Sequence, residues 1–213
     1  MQRLFPIFLN LQDKTCLLIG GGVVAERKIA TLLEYGTRVR IVSKAITAQI
    51  EQWHRENRVE IALRDFCEED LEGVFLVFAA TNDSDVNRKV SQCCREKEIL
   101  VNVVEHPEQG DFFVPSILRR DDLTVAISTA GKSPAFARRL RRELEAIITP
   151  AYGEFVDLLG EVRRCLQEQV PDIRRRKQIL ESLVYSDILD LIQVGDKDKA
   201  KEKIRQCMSF WQD

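Results

Sequence analysis

The chain has 213 residues, of which 45% are hydrophobic and 31% are charged, enough for one large or two modest folded domains and too apolar for a disordered chain. A formal net charge of −2 argues against a general nucleic-acid binder. No stretch approaches the roughly 20 apolar residues of a membrane span, and the N-terminus has no signal-peptide cleavage pattern. We therefore expect a cytoplasmic protein with neither a nucleic-acid nor a membrane partner.

The six cysteines are spread over the whole chain, and no two of them form a CxxC pair. This spacing argues against a zinc knuckle, an iron–sulfur cluster and a disulfide framework. We expect most of them to be small core residues, and we expect no resident metal.

In the first half of the chain, β-type runs alternate with helical periodicity, which predicts parallel strands joined by right-handed helical crossovers. Compact apolar runs and alternating runs predict strands at Thr15–Gly20, Arg38–Ser43, Arg58–Leu63, Val74–Ala80 and Ile99–Val104. Apolar stripes predict helices at Val24–Tyr35, Ala45–Asn57 and Ser84–Lys97. The predicted fold class is α/β, with a Rossmann-like parallel sheet.

The alternation ends after this sheet. Phe112–Val114, Ile117–Arg120 and Leu123–Ser128 look like strands with no helix between them, and a helix is predicted for Ser133–Ile148. From Ala151 onward only helical periodicity remains, interrupted at Pro171, Ser186 and Gly195. We predict a dinucleotide-binding domain over 1–111, a small β/α dimerisation section over 112–148 and a C-terminal helical bundle over 149–213.

A glycine-rich turn follows the first predicted strand and opens the first helix, which is the context a dinucleotide fingerprint requires. Gly20 suits a tight turn, Gly22 allows close approach of a pyrophosphate, and Ala25 is small enough for helix–strand packing. The alternative is a glycine turn without a ligand. The candidate cofactor-binding residues here are Gly20, Gly21, Gly22, Val23 and Val24.

The second strand lacks the usual carboxylate for the ribose 2′-hydroxyl and ends instead in Ser43-Lys44. Ser43 could bind a ribose hydroxyl, whereas Lys44 could face a 2′-phosphate. These two residues leave NAD and NADP both open.

Further candidates follow the central strand and the last strand, because ligands of such sheets bind at the carboxyl ends of strands. We expect Thr81, Asn82, Asn102 and Val103 to contribute to the cofactor site, although Asn82 or Asp83 could simply cap the next helix. Asn102 stands within an apolar strand, where its amide needs hydrogen-bond partners.

Glu105 and His106 follow the last strand, next to where a nicotinamide would lie. Glu105 could act as a general base or hold a metal, or it could be a solvated loop residue.

A second group of candidates surrounds the Ser128–Pro134 turn. A strand leads into this turn, Ser133 suits a helix N-cap, and arginines follow on the helix. Arginines near a cleft suit a polycarboxylate ligand; the alternative is a solvated face paired with Glu143 and Glu145. The candidate substrate-binding residues are Ser128, Thr129, Lys132, Arg138 and Arg142.

Across residues 1–150 the sequence resembles precorrin-2 dehydrogenase, the unit that also forms the N-terminal part of siroheme synthases. The matching stretches, in family order, are Pro6-Ile7-Phe8, Gly20–Lys28 (GGGVVAERK), Ala79–Asp83 (AATND), Asn102–Glu105 (NVVE), Phe112–Arg120 (FFVPSILRR) and Ala126–Glu145 (AISTAGKSPAFARRLRRELE).

The resemblance implies NAD-dependent oxidation of precorrin-2 to sirohydrochlorin by a homodimer whose middle section exchanges structure between subunits. It favours NAD over NADP, and it assigns the polycarboxylate substrate to the arginine helix. Some members of the family also insert Fe²⁺ into sirohydrochlorin. A non-catalytic tetrapyrrole-binding protein and a nucleotide-sensing Rossmann module are the alternatives from other classes.

The sequence departs from the family at Glu105, which stands where the family has an aspartate. Displacing a catalytic carboxylate by about 1 Å can cost 100-fold in rate. We therefore expect dehydrogenation with weak or absent Fe²⁺ chelation. We expect Phe112–Ile148 to form the main dimer interface, because an apolar run there would otherwise be exposed: Phe113, Val114, Ile117 and Leu118.

Overall fold

A computed structural model describes residues 4–104 and 106–209. The chain divides into two compact units, Met1–Val114 and Pro115–Asp213.

The first unit is an α/β sandwich around a five-stranded parallel sheet of strand order β3-β2-β1-β4-β5, as the alternating pattern predicts. Short 3-10 turns occupy Glu68–Leu71 and Pro107–Gln109. In chain order the elements are β1 (Thr15–Ile19), α1 (Val23–Glu34), β2 (Arg38–Val42), α2 (Ala48–Arg55), β3 (Val59–Ala62), β4 (Leu76–Ala79), α3 (Ser84–Glu96) and β5 (Leu100–Val103).

β1 and β4, at the centre of the sheet, are almost entirely apolar because both faces of the sheet are covered there. In the ladder Leu18 lies beside Phe78, which lies beside Asn102, so these side chains share one face. That face packs on α1 and α2 in one buried cluster, while Ile19 and Val103 belong to a second cluster with α3. All five strands point their carboxyl ends to one edge, where ligands of such sheets bind.

The second unit begins with an antiparallel hairpin and continues as helices. Pro171, Ser186 and Gly195 fall between helices, as predicted from the sequence. The elements are β6 (Ser116–Arg120), β7 (Leu123–Ile127), α4 (Pro134–Ile147), α5 (Pro150–Gln169), α6 (Ile173–Val184), α7 (Ile188–Gln193) and α8 (Lys197–Ser209).

Two expectations from the sequence are wrong in this region. Phe112–Val114 is not a strand: the Asn102 amide donates to the carbonyl oxygen of Phe112 (2.8 Å), and the Phe112 ring meets Phe78 edge-on. A side-chain hydrogen bond and a ring contact therefore hold this segment in place, instead of the strand ladder that the sequence predicted. Leu118 is only 1% exposed within the single chain, so it needs no second copy to cover it.

The cysteines are free thiols. Cys16, Cys93 and Cys94 are buried and the other three are half-buried. Burial raises the pKa of Cys16 and of Cys94 to about 12, which keeps both thiols protonated and unreactive. Among the described residues, no helix has the length and apolar character to cross a membrane.

Candidate functional site

The glycine turn between β1 and α1 combines two tightly packed glycines with one open position. Gly20 has a φ of +115°, and a Cβ there would lie 2.5 Å from the Ala80 carbonyl oxygen. A Cβ on Gly21 would lie 2.3 Å from the Ala45 carbonyl oxygen, whereas a Cβ on Gly22 would meet nothing within 4 Å. The first two glycines let the turn pack against its neighbours, and Gly22 borders free space.

The N-terminus of α1 opens into this space without a capping side chain. Gly22 is the N-cap residue and makes no side-chain hydrogen bond, so the first-turn N–H groups lack side-chain acceptors. Val23 is 66% exposed and Val24 37% exposed, although both are apolar. Ala25, by contrast, is fully buried, as its predicted packing role requires. Uncapped amides beside an open glycine fit a dinucleotide pyrophosphate.

The two candidates at the end of β2 already have partners in the chain. The Ser43 hydroxyl donates to the Ala45 carbonyl oxygen (2.7 Å). Lys44 Nζ lies 2.9 Å from Asp65 Oδ1, and both side chains are about three-quarters exposed. The hydrogen bond to Asp65 is the largest cause that raises the pKa of Lys44. Asp65 thus brings to this edge the carboxylate that β2 lacks, a placement that the sequence analysis missed.

The turn after β4 is held by Asn87, a buried residue of α3 that the sequence analysis also missed. Asn87 Nδ2 donates to the Thr81 carbonyl oxygen (2.9 Å), and the Thr81 hydroxyl lies 2.8 Å from Asn87 Oδ1. Asp83 caps α3 by accepting from the N–H groups of Asp85 and Val86. Asn82 does not cap the helix and is exposed at the sheet edge.

Asn102 is 8% exposed, and both ends of its amide are bonded within the protein. Its Nδ2 donates to the carbonyl oxygen of Phe112, and its Oδ1 accepts from Lys28 Nζ (3.3 Å). The Lys28 ammonium also lies over the Phe78 ring, 4.8 Å from the centroid. Burial, with a smaller effect of Arg27, lowers the pKa of Lys28. The sequence offered one signal for this lysine, its place in the GGGVVAERK stretch.

The last candidates of the first unit follow β5. Val103 is 1% exposed and its side chain belongs to the core, so only its backbone is available to a ligand. Glu105, the expected catalytic residue, lies outside the described residues. His106 Nδ1 is 3.1 Å from Glu108 Oε1 at the surface.

In the second unit, the Ser128–Ser133 turn is stabilised by its own hydroxyls. Ser128 Oγ accepts from the Ala130 N–H, and Thr129 Oγ1 accepts from the Ser133 N–H, both at 3.1 Å. Ser133 caps α4 by accepting from the Phe136 N–H, as predicted. Lys132 is exposed beside the start of this helix.

The arginines of α4 fall into two pairs. Arg139 pairs with Glu143 at 2.7 Å and Arg141 pairs with Glu145, as the solvated-face alternative expected. Arg138 and Arg142 are exposed, and the described part of the chain holds no ion-pair partner for either. These two are therefore available for a ligand carboxylate.

The candidates form two sets, one in each unit. The Gly20–Val24, Ser43-Lys44, Thr81-Asn82 and Asn102-Val103 candidates lie at the carboxyl edge of the sheet, and the Ser128–Arg142 candidates surround the start of α4. Over residues 4–104 and 106–209, no group of three His, Cys, Asp or Glu side chains is arranged to hold a metal ion.

Three family models match the chain in succession. Residues 7–116 match one described as "Putative NAD(P)-binding", residues 120–147 match "Sirohaem biosynthesis protein central", and residues 151–208 match "Sirohaem synthase dimerisation region". The dimerisation model lies C-terminal to Phe112–Ile148, where we expected the main interface.

The relatives are longer proteins. A siroheme synthase from Thioalkalivibrio sulfidiphilus is 37% identical over 204 residues, which are 96% of this chain and 42% of that protein. Siroheme synthase 2 from Serratia proteamaculans is 37% identical over 205 residues, 96% of this chain and 44% of that protein. The chain thus spans less than half the length of these relatives.

Among solved structures, "SirC, precorrin-2 dehydrogenase" superposes with a TM-score of 0.78 at 24% identity. The match covers 95% of this chain and all of that one. This likeness establishes the fold.

Proposed function

Since the chain belongs to the siroheme synthase family, as the region with its NAD(P)-binding, central and dimerisation parts, we propose that it catalyses NAD-dependent dehydrogenation of precorrin-2 to sirohydrochlorin. The observation that carries the proposal is the succession of the three family models over residues 7–208, with an open glycine turn in the first of them. The macrocycle loses a hydride and a proton.

The carboxyl edge of the sheet holds the cofactor in this proposal. NAD accepts the hydride when bound. The amides of α1 bind its pyrophosphate beside Gly22. Val23 and Val24 lie against the bound dinucleotide, which accounts for the exposure of these two valines. Ser43 and Lys44 face the adenosine ribose, and the bonds from Asn87 fix the turn at Thr81-Asn82 next to the nicotinamide side.

The start of α4 binds the substrate. Arg138 and Arg142 are one helical turn apart and are the two arginines of the helix without a glutamate partner in the described chain. Guanidinium groups bind carboxylates through two parallel hydrogen bonds, which suits a macrocycle with carboxylate side chains. Lys132, Ser128 and Thr129 supply further donors at the same end of the helix.

Glu105 is the proposed general base. It accepts the proton that the macrocycle loses as the hydride departs, and a positioned carboxylate of this kind contributes about 10²- to 10⁴-fold in rate. The position matches the family's aspartate, with one added methylene.

The match to a dimerisation region supports a homodimer. We further propose the division at 111/112 and 148/149 and a cytoplasmic location, where NAD is available and the six free thiols stay reduced.

Absorbance spectroscopy of the protein with precorrin-2 and NAD tests the proposal, and a second arm adds Fe²⁺. We expect NAD-dependent formation of sirohydrochlorin and little iron insertion. Glu105→Ala should slow dehydrogenation at least 100-fold with NAD affinity nearly unchanged, and Glu105→Asp should retain activity. Glu108→Ala, in the same loop, is the matched control.

No product with NAD would refute the proposal. An unchanged rate in Glu105→Ala would remove the catalytic role of that residue alone. Rapid Fe²⁺ insertion by the unaltered protein would favour a bifunctional dehydrogenase and ferrochelatase.

A further inference from the structure

We infer that Asp65 determines the preference for NAD over NADP, by supplying from the end of β3 the carboxylate that the end of β2 lacks. The inference rests on the proposed cofactor site and deepens it. In dinucleotide-binding sheets an acidic residue after the second strand binds the ribose 2′-hydroxyl and repels a 2′-phosphate. Here that position is Ser43-Lys44, which alone would attract a phosphate.

Strand pairing brings Asp65 to this position. β3 runs parallel to β2 with Val42 opposite Ala62, so both strands end at the same edge. The Ser43 N–H donates to the Ala62 carbonyl oxygen (3.2 Å), which ties the two strand ends together. Three residues further along the chain, the Asp65 carboxylate meets the Lys44 ammonium.

Two backbone hydrogen bonds tie the glycine turn to the segment that carries Lys44. The Gly20 N–H donates to the Val42 carbonyl oxygen (2.9 Å), and the Thr47 N–H donates to the Gly21 carbonyl oxygen (3.0 Å). A dinucleotide whose pyrophosphate lies at Gly22 therefore extends its adenosine ribose over the end of β2.

The charges at this edge disfavour a second phosphate. Lys44 carries one positive charge, and two carboxylates act on it, Asp65 by direct contact and Asp83 at longer range. The three groups together are net negative, and a 2′-phosphate adds about −1.5 to −2 at neutral pH. A ribose hydroxyl, by contrast, can donate to the Asp65 carboxylate.

The loop that carries Asp65 is held in place by a neighbouring ion pair. Arg64 makes two parallel hydrogen bonds to the carboxylate of Asp70, at 2.6 and 2.8 Å, and the Cys67 N–H donates to the same carboxylate. The position of Asp65 therefore depends on a folded loop, even though its own side chain is exposed.

Calorimetric titration of the whole chain with NAD and NADP tests the inference without substrate. We expect the unaltered protein to prefer NAD. Asp65→Asn should strengthen NADP binding relative to NAD by about 5- to 10-fold, because one unit of charge is removed a few ångströms from the 2′-phosphate. Glu51→Gln, which breaks a comparably exposed ion pair with Arg55 on α2, should leave the ratio unchanged.

An NAD-to-NADP ratio that Asp65→Asn does not move, at an unchanged melting temperature, would overturn the inference alone. A preference of the unaltered protein for NADP would also overturn it. Failure to bind either dinucleotide would overturn the cofactor site itself, and with it the proposed function.

Discussion

Gly22→Asp separates cofactor binding from folding more cleanly than other changes in the glycine turn. Gly22 has φ −83° and ψ −175°, an extended conformation open to any residue, and a Cβ there meets nothing within 4 Å. The change should therefore fold normally. Aspartate is also a favourable N-cap residue, and α1 has no capping side chain now.

The new carboxylate would act against the cofactor in two ways. It would accept hydrogen bonds from the α1 amides that the pyrophosphate needs. It would also place a negative charge about 5 Å from the two negative charges of the pyrophosphate. At an effective dielectric constant of about 40, two such interactions sum to about 3 kcal/mol, or about 150-fold in affinity. The same cap should raise the free energy of unfolding by roughly a few tenths of a kcal/mol, because glycine is itself a tolerated N-cap residue.

Two measurements on the same variants check this reasoning: calorimetric titration with NAD, and thermal unfolding without cofactor. Gly22→Ala should fold normally and lose less affinity, since it adds bulk without charge. Gly20→Ala should be destabilised, because its Cβ would lie 2.5 Å from a carbonyl oxygen at a φ of +115°. Undiminished NAD affinity in Gly22→Asp would refute the location of the pyrophosphate.

Two further changes test the loop after β3 and the arginine helix. Burial acts to raise the pKa of Asp70, but hydrogen bonds from Arg64 and a backbone amide outweigh it and lower the pKa. The ionised carboxylate therefore stabilises the fold at neutral pH. It loses that effect as the pH falls through the acidic range and the carboxylate is protonated. Asp70→Asn should lower the free energy of unfolding, measured in urea titrations, by about 1–2 kcal/mol at pH 7. The difference between variant and unaltered protein should shrink below about pH 4. A difference that stays constant with pH would contradict a stabilising role for the ionised carboxylate. The double change Arg138→Ala, Arg142→Ala should raise KM for precorrin-2 at least about 10-fold in steady-state kinetics, whereas Arg139→Ala should not; equal effects would show that the glutamate-paired face contributes as much.

The sequence predicted the parts of the fold that depend on local pattern. The apolar runs located all five parallel strands within a residue or two, and the glycine turn was placed between β1 and α1, where the structure has it. Ser133 was predicted as the N-cap of α4 because capping depends on residues within one turn of the chain. Its hydroxyl oxygen accepts from the N–H of Phe136, three residues later.

Contacts between distant residues were not predictable in the same way. Asp65 meets Lys44 only because β3 pairs in parallel with β2. Phe112–Val114 has the composition of a strand, but no neighbouring strand pairs with it among the described residues.

The half-buried Lys28 links α1 to the chain that follows β5. Taking an ammonium out of water is unfavourable, and its partners within the described chain are the Asn102 amide oxygen and the Phe78 ring. Asn102 in turn donates to the backbone of Phe112, where the chain returns to the sheet from the loop after β5. The helix that directs its N-terminus at the proposed pyrophosphate site thus also holds, from its second turn, the Asn102 side chain that bonds to the Phe112 backbone.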